Sequence, residues 1–186
     1  HGQVLNTDSS ARSAADLVNT LEEATLANLI YQLGDERRSR SIARAICRRR
    51  AEAPFTRTLD LAAVIAKAYG RPPKDGRSPA TRTFQALRIA VNDELGELAR
   101  GLFAAETILK PGGRLVVVTF HSLEDRMVKR YFRYGNLEGE DHRDMYGRAL
   151  TPWKVITRKA VKPSEGEITD NSRARSARLR AAERIA

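Results

Sequence analysis

The sequence predicts an α/β protein in which helices come first and the sheet is confined to the last part of the chain. Three observations carry that prediction. Up to Leu109 the apolar residues recur every three or four positions, the spacing of one face of a helix. The chain then reads LKPGGRLVVVTF, a Pro-Gly-Gly turn followed by an almost unbroken Leu-Val-Val-Val run, as expected of a strand covered on both faces in a parallel sheet. Beyond Pro152, the stretches Trp153–Arg158 and Ala177–Arg184 read as weaker strands, the second alternating Ala177, Leu179 and Ala181 with Arg178 and Arg180.

Taken in order, Ser13 to about Leu33 places Leu17, Val18, Leu21, Leu26, Leu29 and Ile30 at helical spacing. This is one helix closed by Gly34, or a pair broken near Thr20. A second helix from about Asp35 to Ala53 turns Ile42, Ala43 and Ile46 inward and its arginines outward, and Pro54 stops it. A third starts near Thr58 and ends at Gly70. RPPKDGRSP, up to Pro79, is a loop. From about Ala80 to Leu109 runs the longest helical tract, which Gly96 and Gly101 weaken by about 1 kcal/mol each relative to alanine. His121 and Ser122 end the valine strand, and Leu123 to Arg133 is helical again. Tyr134 to Pro152 is polar and irregular, and an acidic helical turn lies near Pro163–Asp170. In the last strand the arginine side is expected to face water.

The chain has 186 residues, 41% hydrophobic and 30% charged, enough for one domain or one and a half with a sizeable core. No apolar run approaches the ~18 residues of a membrane span. The single Cys47 cannot form an internal disulfide and, beside Ile42, Ala43 and Ile46, reads as helix packing. Neither paired cysteines nor clustered histidines stand at metal-ligand spacing, so no metal site is expected; G-x-G-x-x-G and P-loop patterns are absent too. The net charge of +10 points to a polyanionic partner, because neutralising phosphates releases counterions. The charge is clustered: Arg37, Arg38, Arg40, Arg44, Arg48, Arg49 and Arg50 crowd one segment, and Arg173, Arg175, Arg178, Arg180 and Arg184 another. Arginine predominates, as suits forked donors that meet phosphate oxygens. Nucleic acid is the expected partner rather than a merely solubilising surface.

Five motifs, in order, then carry a resemblance: SAADLVNTLEEATLANLI, PATRTFQALRIAVNDEL (Pro79–Leu95), LKPGGRLVVV, TFHSLEDRMVKRYF and SRARSARLRAAER (Ser172–Arg184). Together they closely resemble the MraW-type methyltransferases of bacteria and organelles, from about Ser10 to Arg184. The resemblance implies transfer of a methyl group from S-adenosylmethionine to N4 of a cytosine in small-subunit ribosomal RNA, in a bacterial cytoplasm or an organelle matrix. It implies a partial class I (Rossmann-like) methyltransferase sheet holding strands five, seven and six of the family order, with a helical cap subdomain. Residues 1–79 would be the cap and 80–186 the C-terminal half of the catalytic domain. Strand five falls at Leu115–Phe120, strand six at Trp153–Arg158 and strand seven at Ala177–Arg184. The family's glycine-rich loop after strand one, which holds the cofactor, has no counterpart here; HGQVLNTDS is too short to hold the first strands. Strand five would then keep an uncovered edge, which a second polypeptide or a second copy is expected to cover. The competing expectation is a non-catalytic RNA-binding or ribosome-assembly protein derived from such an enzyme.

Ligands of open α/β sheets gather beyond the carboxyl ends of the strands, which singles out Phe120, His121, Ser122, Glu124 and Asp125. His121 is a candidate proton acceptor or relay, Phe120 a stacking surface, and Glu124 and Asp125 candidates to orient His121 or contact the amine. Ser122 followed by Asp125 reads equally as a helix N-cap with an acid in the first turn. Arg57, Arg82, Arg88, Lys129 and Arg130 are candidate phosphate contacts and Asn92 a candidate base reader, each with a plain surface role as its alternative. Arg37, Arg44 and Arg48 belong to a collective RNA-facing surface. Trp153 reads as packing rather than stacking.

Overall fold

A computed structural model describes residues 13–70, 76 and 78–185. The chain forms two compact units, divided between Glu94 and Leu95.

The first unit is helical. Helix α1 (Ala14–Thr20) starts at a capping box in which the Ser13 hydroxyl accepts the Asp16 N–H at 3.1 Å and the Asp16 carboxylate accepts the Ser13 N–H at 2.8 Å. Extended backbone at Leu21 and Glu22 separates it from α2 (Glu23–Gly34), so the first tract is a broken pair. Helices α3 (Ser39–Arg50), α4 (Thr58–Tyr69) and α5 (Thr81–Asn92) follow. Helix α2 packs on both α3 and α5, and α3 on α4. Leu26, Ile30, Ile42, Ile46, Ile65 and Leu87 form the sealed centre. Cys47 packs against it, and burial pushes its thiol up. Asn19 staples the segment after α3 by donating to the Phe55 carbonyl (3.0 Å) and accepting the Phe55 N–H (2.8 Å).

Gly34 does something other than cap α2. The left-handed cap conformation falls on Asp35 (φ 49°), and a Cβ on Gly34 would lie 2.6 Å from the Arg82 carbonyl oxygen. The glycine lets the end of α2 meet the first turn of α5. In the Asp35–Arg38 turn, Glu36 is buried and accepts the Arg38 N–H at 2.8 Å, so α3 starts at Ser39 rather than Asp35.

The long tract after Pro79 is not one helix. It breaks at Asp93, which is left-handed (φ 47°), into α5 and α6 (Glu94–Ile108). Aspartate is among the few non-glycine residues that visit this region readily. Gly96 and Gly101 sit inside α6 instead of ending it.

The second unit is built on a three-stranded sheet of order β1-β3-β2, with β1 at Arg114–Thr119, β2 at Trp153–Val155 and β3 at Arg178–Arg184. Both pairings are antiparallel, Val117 opposite Arg180 and Trp153 opposite Arg184. Helix α7 (Ser122–Tyr134) leaves the end of β1, and the short α8 (Glu165–Asp170) precedes β3. Leu115, Val117 and Ala182 share the core with Leu102, Val128, Tyr131, Phe132 and Trp153. Phe103 meets Tyr131 edge-on at 5.4 Å, and Trp153 packs on Tyr131 and Phe132. The Tyr131 hydroxyl donates to the Glu106 carboxylate. Burial, with that bond, holds the phenol well above its usual range.

Two expectations about the sheet are corrected. The valine strand is not covered on both faces: Val116 is 55% and Val118 50% exposed, alternating with inward Leu115 and Val117. Among the described residues, β3 takes one edge of β1 and no strand takes the other. The arginine side of β3 is not the wet one either. Arg180 is only 8% exposed, and its guanidinium grips Asp125 of α7 at 2.7 and 3.0 Å. Alternation separated the two faces correctly but not which one a helix covers.

The polar stretch after α7 is more ordered than it reads. Gly135 is left-handed (φ 73°) and ends α7, where a Cβ would press within 2.9 Å of Pro152. Residues 142–150 then fold into a small hairpin, tied by Asp144 N–H to the Arg148 carbonyl and Leu150 N–H to the His142 carbonyl. No helix among the described residues is long and apolar enough to cross a membrane.

Candidate functional site

The polar cluster lies where β1 hands over to α7. Thr119 is buried and donates to the Arg178 carbonyl at 3.3 Å. The next residue, Phe120, turns its ring outward, 56% exposed. The cap of α7 is His121, not Ser122. Its Nδ1 accepts the Glu124 N–H at 3.4 Å, and Glu124 Oε2 accepts the N–H groups of Phe120 (2.7 Å) and His121 (3.2 Å). This reciprocal box satisfies backbone donors at both ends of the turn. Because Nδ1 is an acceptor, the neutral ring carries its proton on Nε2, which lies 3.4 Å from Glu124 Oε1. The Glu124 backbone N–H and carboxylate together hold the orientation of His121.

Asp125 is committed elsewhere. Its bidentate bond to Arg180 ties the first turn of α7 to the central strand, so the Ser122–Asp125 capping expectation gives way to His121–Glu124. Ser122 is the exposed first residue of α7. Val128, Tyr131 and Phe132 face the core of this unit, while Lys129 and Arg130 are exposed on the same helix.

In the helical unit the arginines divide into two groups. Arg38 donates to the Tyr69 carbonyl with its guanidinium 4.5 Å from that ring. Arg49 donates to the Ala53 carbonyl and lies over Phe55, and Arg50 donates to the Val18 carbonyl. These three tie the fold together. Arg40, Arg44 and Arg48 stand four apart on one exposed stripe of α3, where Arg44 makes a loose 3.6 Å contact with Glu23. Arg37 and Arg82, far apart in sequence, line one cavity with Tyr31 and Asp35. Arg57 is exposed at the start of α4. Arg88 grips Glu94 at 2.7 and 3.1 Å, and Asn92 donates to the same carboxylate at 3.3 Å, so both first serve the α5–α6 turn.

Sequence reasoning missed three residues. Arg180 was assigned to water because alternation cannot name the covered face. Glu94, the acid that gathers Arg88 and Asn92, gave a local clue by following Asn92 within one turn. Tyr31 signalled itself only as an aromatic one turn before Gly34.

The family model for the MraW methylases matches residues 5–185. The chain belongs to the MraW methylase family. Among its relatives are proteins named ribosomal RNA small subunit methyltransferase H. The Hyphomonas neptunium protein is 56% identical over 177 residues, 93% of this chain and 52% of that protein. That of Brucella ovis is 58% identical over 175 residues (93% and 51%), and that of Caulobacter vibrioides 57% over 176 (92% and 57%). The chain thus spans about half the length of the curated relatives it matches, and within that span the family's likeness includes both the helical unit and the His121–Glu124 turn.

Proposed function

We propose that this chain is the substrate-binding and C-terminal portion of a ribosomal RNA methyltransferase that transfers a methyl group from S-adenosylmethionine to N4 of a cytosine in the small subunit. On this reading residues 1–79 are the helical cap and 80–186 the second half of the catalytic domain, with α5 (Thr81–Asn92) packed on α2 in the helical unit. The observation that carries the reading is the sheet order β1-β3-β2, with the final strand central and antiparallel to both neighbours. It coincides with a class I sheet's strands five, seven and six. The bare edge of β1 and the apolar side chains of Val116 and Val118 support it further: they are where the remaining strands and helices of such a sheet would lie. That remainder corresponds to the length of the relatives this chain does not span, in the same or a second polypeptide.

The described residues do not by themselves form a cradle for S-adenosylmethionine. The one strand-to-helix turn among the described residues, Thr119–Ser122, contains no glycine and is closed by the His121–Glu124 box. A cofactor-cradling turn needs close backbone approach instead. What this chain supplies is the other side of the reaction. Phe120 offers an exposed face for a flipped base. His121, held by Glu124, is the proton acceptor or relay for the amine, and Ser122 offers a hydroxyl at the first position of α7. Asp125 positions that turn through Arg180. Arg37, Arg44, Arg48, Arg57, Arg82 and Arg88, with Lys129 and Arg130, contact phosphates, and Asn92 contacts a base edge.

The test is reconstitution: co-express the chain with the N-terminal half of a relative and follow radiolabelled methyl transfer to small ribosomal subunits. Labelled cytosine is expected with the pair and none with the chain alone. His121→Ala should slow transfer by about 100-fold or more, the usual range for a lost acid–base group. No transfer from a soluble pair that still binds ribosomal RNA would overturn the enzymatic reading in favour of a non-catalytic RNA-binding one.

A further inference from the structure

We infer that the cavity lined by Tyr31, Asp35, Arg37 and Arg82 is a binding site for one unpaired nucleotide of RNA, its base stacked on Tyr31 and its phosphates held by Arg37 and Arg82. The inference deepens the RNA-binding part of the proposed function and rests on that part alone.

The site is built by the fold. Gly34, with no Cβ, lets the backbone of Arg82 approach the last turn of α2, and Arg82 Nη1 donates to the Asp35 carbonyl at 3.2 Å. The guanidinium is thereby anchored beside Tyr31, one turn back on α2. The buried Glu36 carboxylate, bonded to the Arg38 N–H, sets the turn from which Arg37 projects into solvent. Side chains from α2, the α2–α3 turn and α5 so converge on an open cavity of about 550 Å³, within the ~300–1,000 Å³ common for small-molecule sites.

The lining selects the ligand class. Among the described residues that line it, the ring of Tyr31 is the aromatic surface and is 59% exposed; an apolar ligand would find little else there to bury against. Two guanidiniums beside one ring are the pair of features by which proteins take up single strands, charge for the backbone and a π-face for each base. The first turn of α5 holds no acidic residue to oppose a phosphate. Asp35 enters the site through its backbone carbonyl, which fixes the Arg82 guanidinium. Bases locked in a duplex present no free face to such a cavity.

The experiment uses the 186-residue chain and a fluorescein-labelled single-stranded RNA pentamer carrying 5-iodouridine, with a duplex of matched charge as comparison. Irradiation followed by peptide mass spectrometry is expected to place a crosslink on Tyr31. In anisotropy titrations, Tyr31→Ala should weaken pentamer binding about ten-fold, with Tyr31→Phe close to the parent and duplex binding unchanged. Arg37→Ala should lower the slope of log affinity against log salt by about one contact. Thermal unfolding of Tyr31→Ala should match the parent, since the ring is largely exposed. Crosslinks only at other residues, with Tyr31→Ala binding as tightly as the parent, would overturn the site, as would no binding of the pentamer by the parent. Methyl transfer can fail in the reconstituted pair while Tyr31-dependent binding persists, and transfer can persist while Tyr31 proves irrelevant, so the two readings fall separately.

Discussion

In the helical unit Leu26, Ile30, Ile42, Ile46 and Ile65 are sealed by helices of the same unit, whereas in the sheet unit Val116 and Val118 stay half exposed. Composition does not separate the two. Partnering does: the helical core is closed by helices of the same unit, α2 by α3 and by the distant α5, while β1 finds one strand partner, β3, among the described residues. Helices satisfy their backbone hydrogen bonds internally and need only cover an apolar face. A sheet is complete only when every strand edge and both faces have found partners.

The contrast can be broken or sharpened by substitution, taking the largest effect first. Asp125→Ala leaves the buried Arg180 guanidinium without its carboxylate, and the sheet unit should lose roughly 3–5 kcal/mol, read as an early melting transition that leaves the helical unit folded. The double variant with Arg180→Met should recover most of that loss; no recovery would mean that Asp125 acts by some route other than neutralising Arg180.

Gly34→Ala acts on the other unit. The added methyl collides with a backbone carbonyl, and the α2–α5 contact should loosen at a cost of about 1–3 kcal/mol. Chemical denaturation should locate that loss in the helical transition alone. A shift of both transitions together would mean that the loss is not confined to the helical unit.

Tyr131→Phe has a smaller effect with a pH signature. The unfolded tyrosine ionises near its ordinary value of 10.0, while the folded phenol keeps its proton to higher pH. Stability from this group is therefore full below about pH 10 and is lost as pH rises toward the folded value. The phenylalanine variant should cost about 1 kcal/mol at neutral pH and lack that alkaline loss, measured as melting temperature between pH 8 and pH 11. An identical alkaline profile would refute the linkage.

Val116→Thr with Val118→Thr should change stability least, by about 0.5 kcal/mol or less, because neither methyl set is buried. Light scattering should nevertheless show less self-association, since the bare apolar face is reduced. A large stability loss would show instead that the face is covered in solution.

Much of the architecture was legible because it is local. Periodicity placed α3, α4 and α7 to within a few residues, and the Pro-Gly-Gly turn announced β1. The break at Asp93 was not legible, since the apolar rhythm of Leu87, Val91 and Leu95 continues across it. At the candidate site the residue types were right and their pairing wrong. Spacing offered Ser122–Asp125 as the cap, but His121 and Glu124 stand in the same relation one residue earlier, and Asp125 was drawn away by Arg180. The arginine-rich α3 shows the same limit: Arg38, Arg49 and Arg50 read like Arg40, Arg44 and Arg48 until the carbonyls they bind are known.

By itself, the order of residues determined where helices and strands form, how strongly basic the surface is and which family the motifs resemble, because hydrophobic period, turn chemistry and charge are properties of neighbours along the chain. Only the tertiary structure decided that Arg180 is buried, that Gly34 meets Arg82 and that β1 keeps one face and one edge bare. Each of these depends on which distant segment arrives to cover a surface, and alternation along a strand or helix carries no record of that.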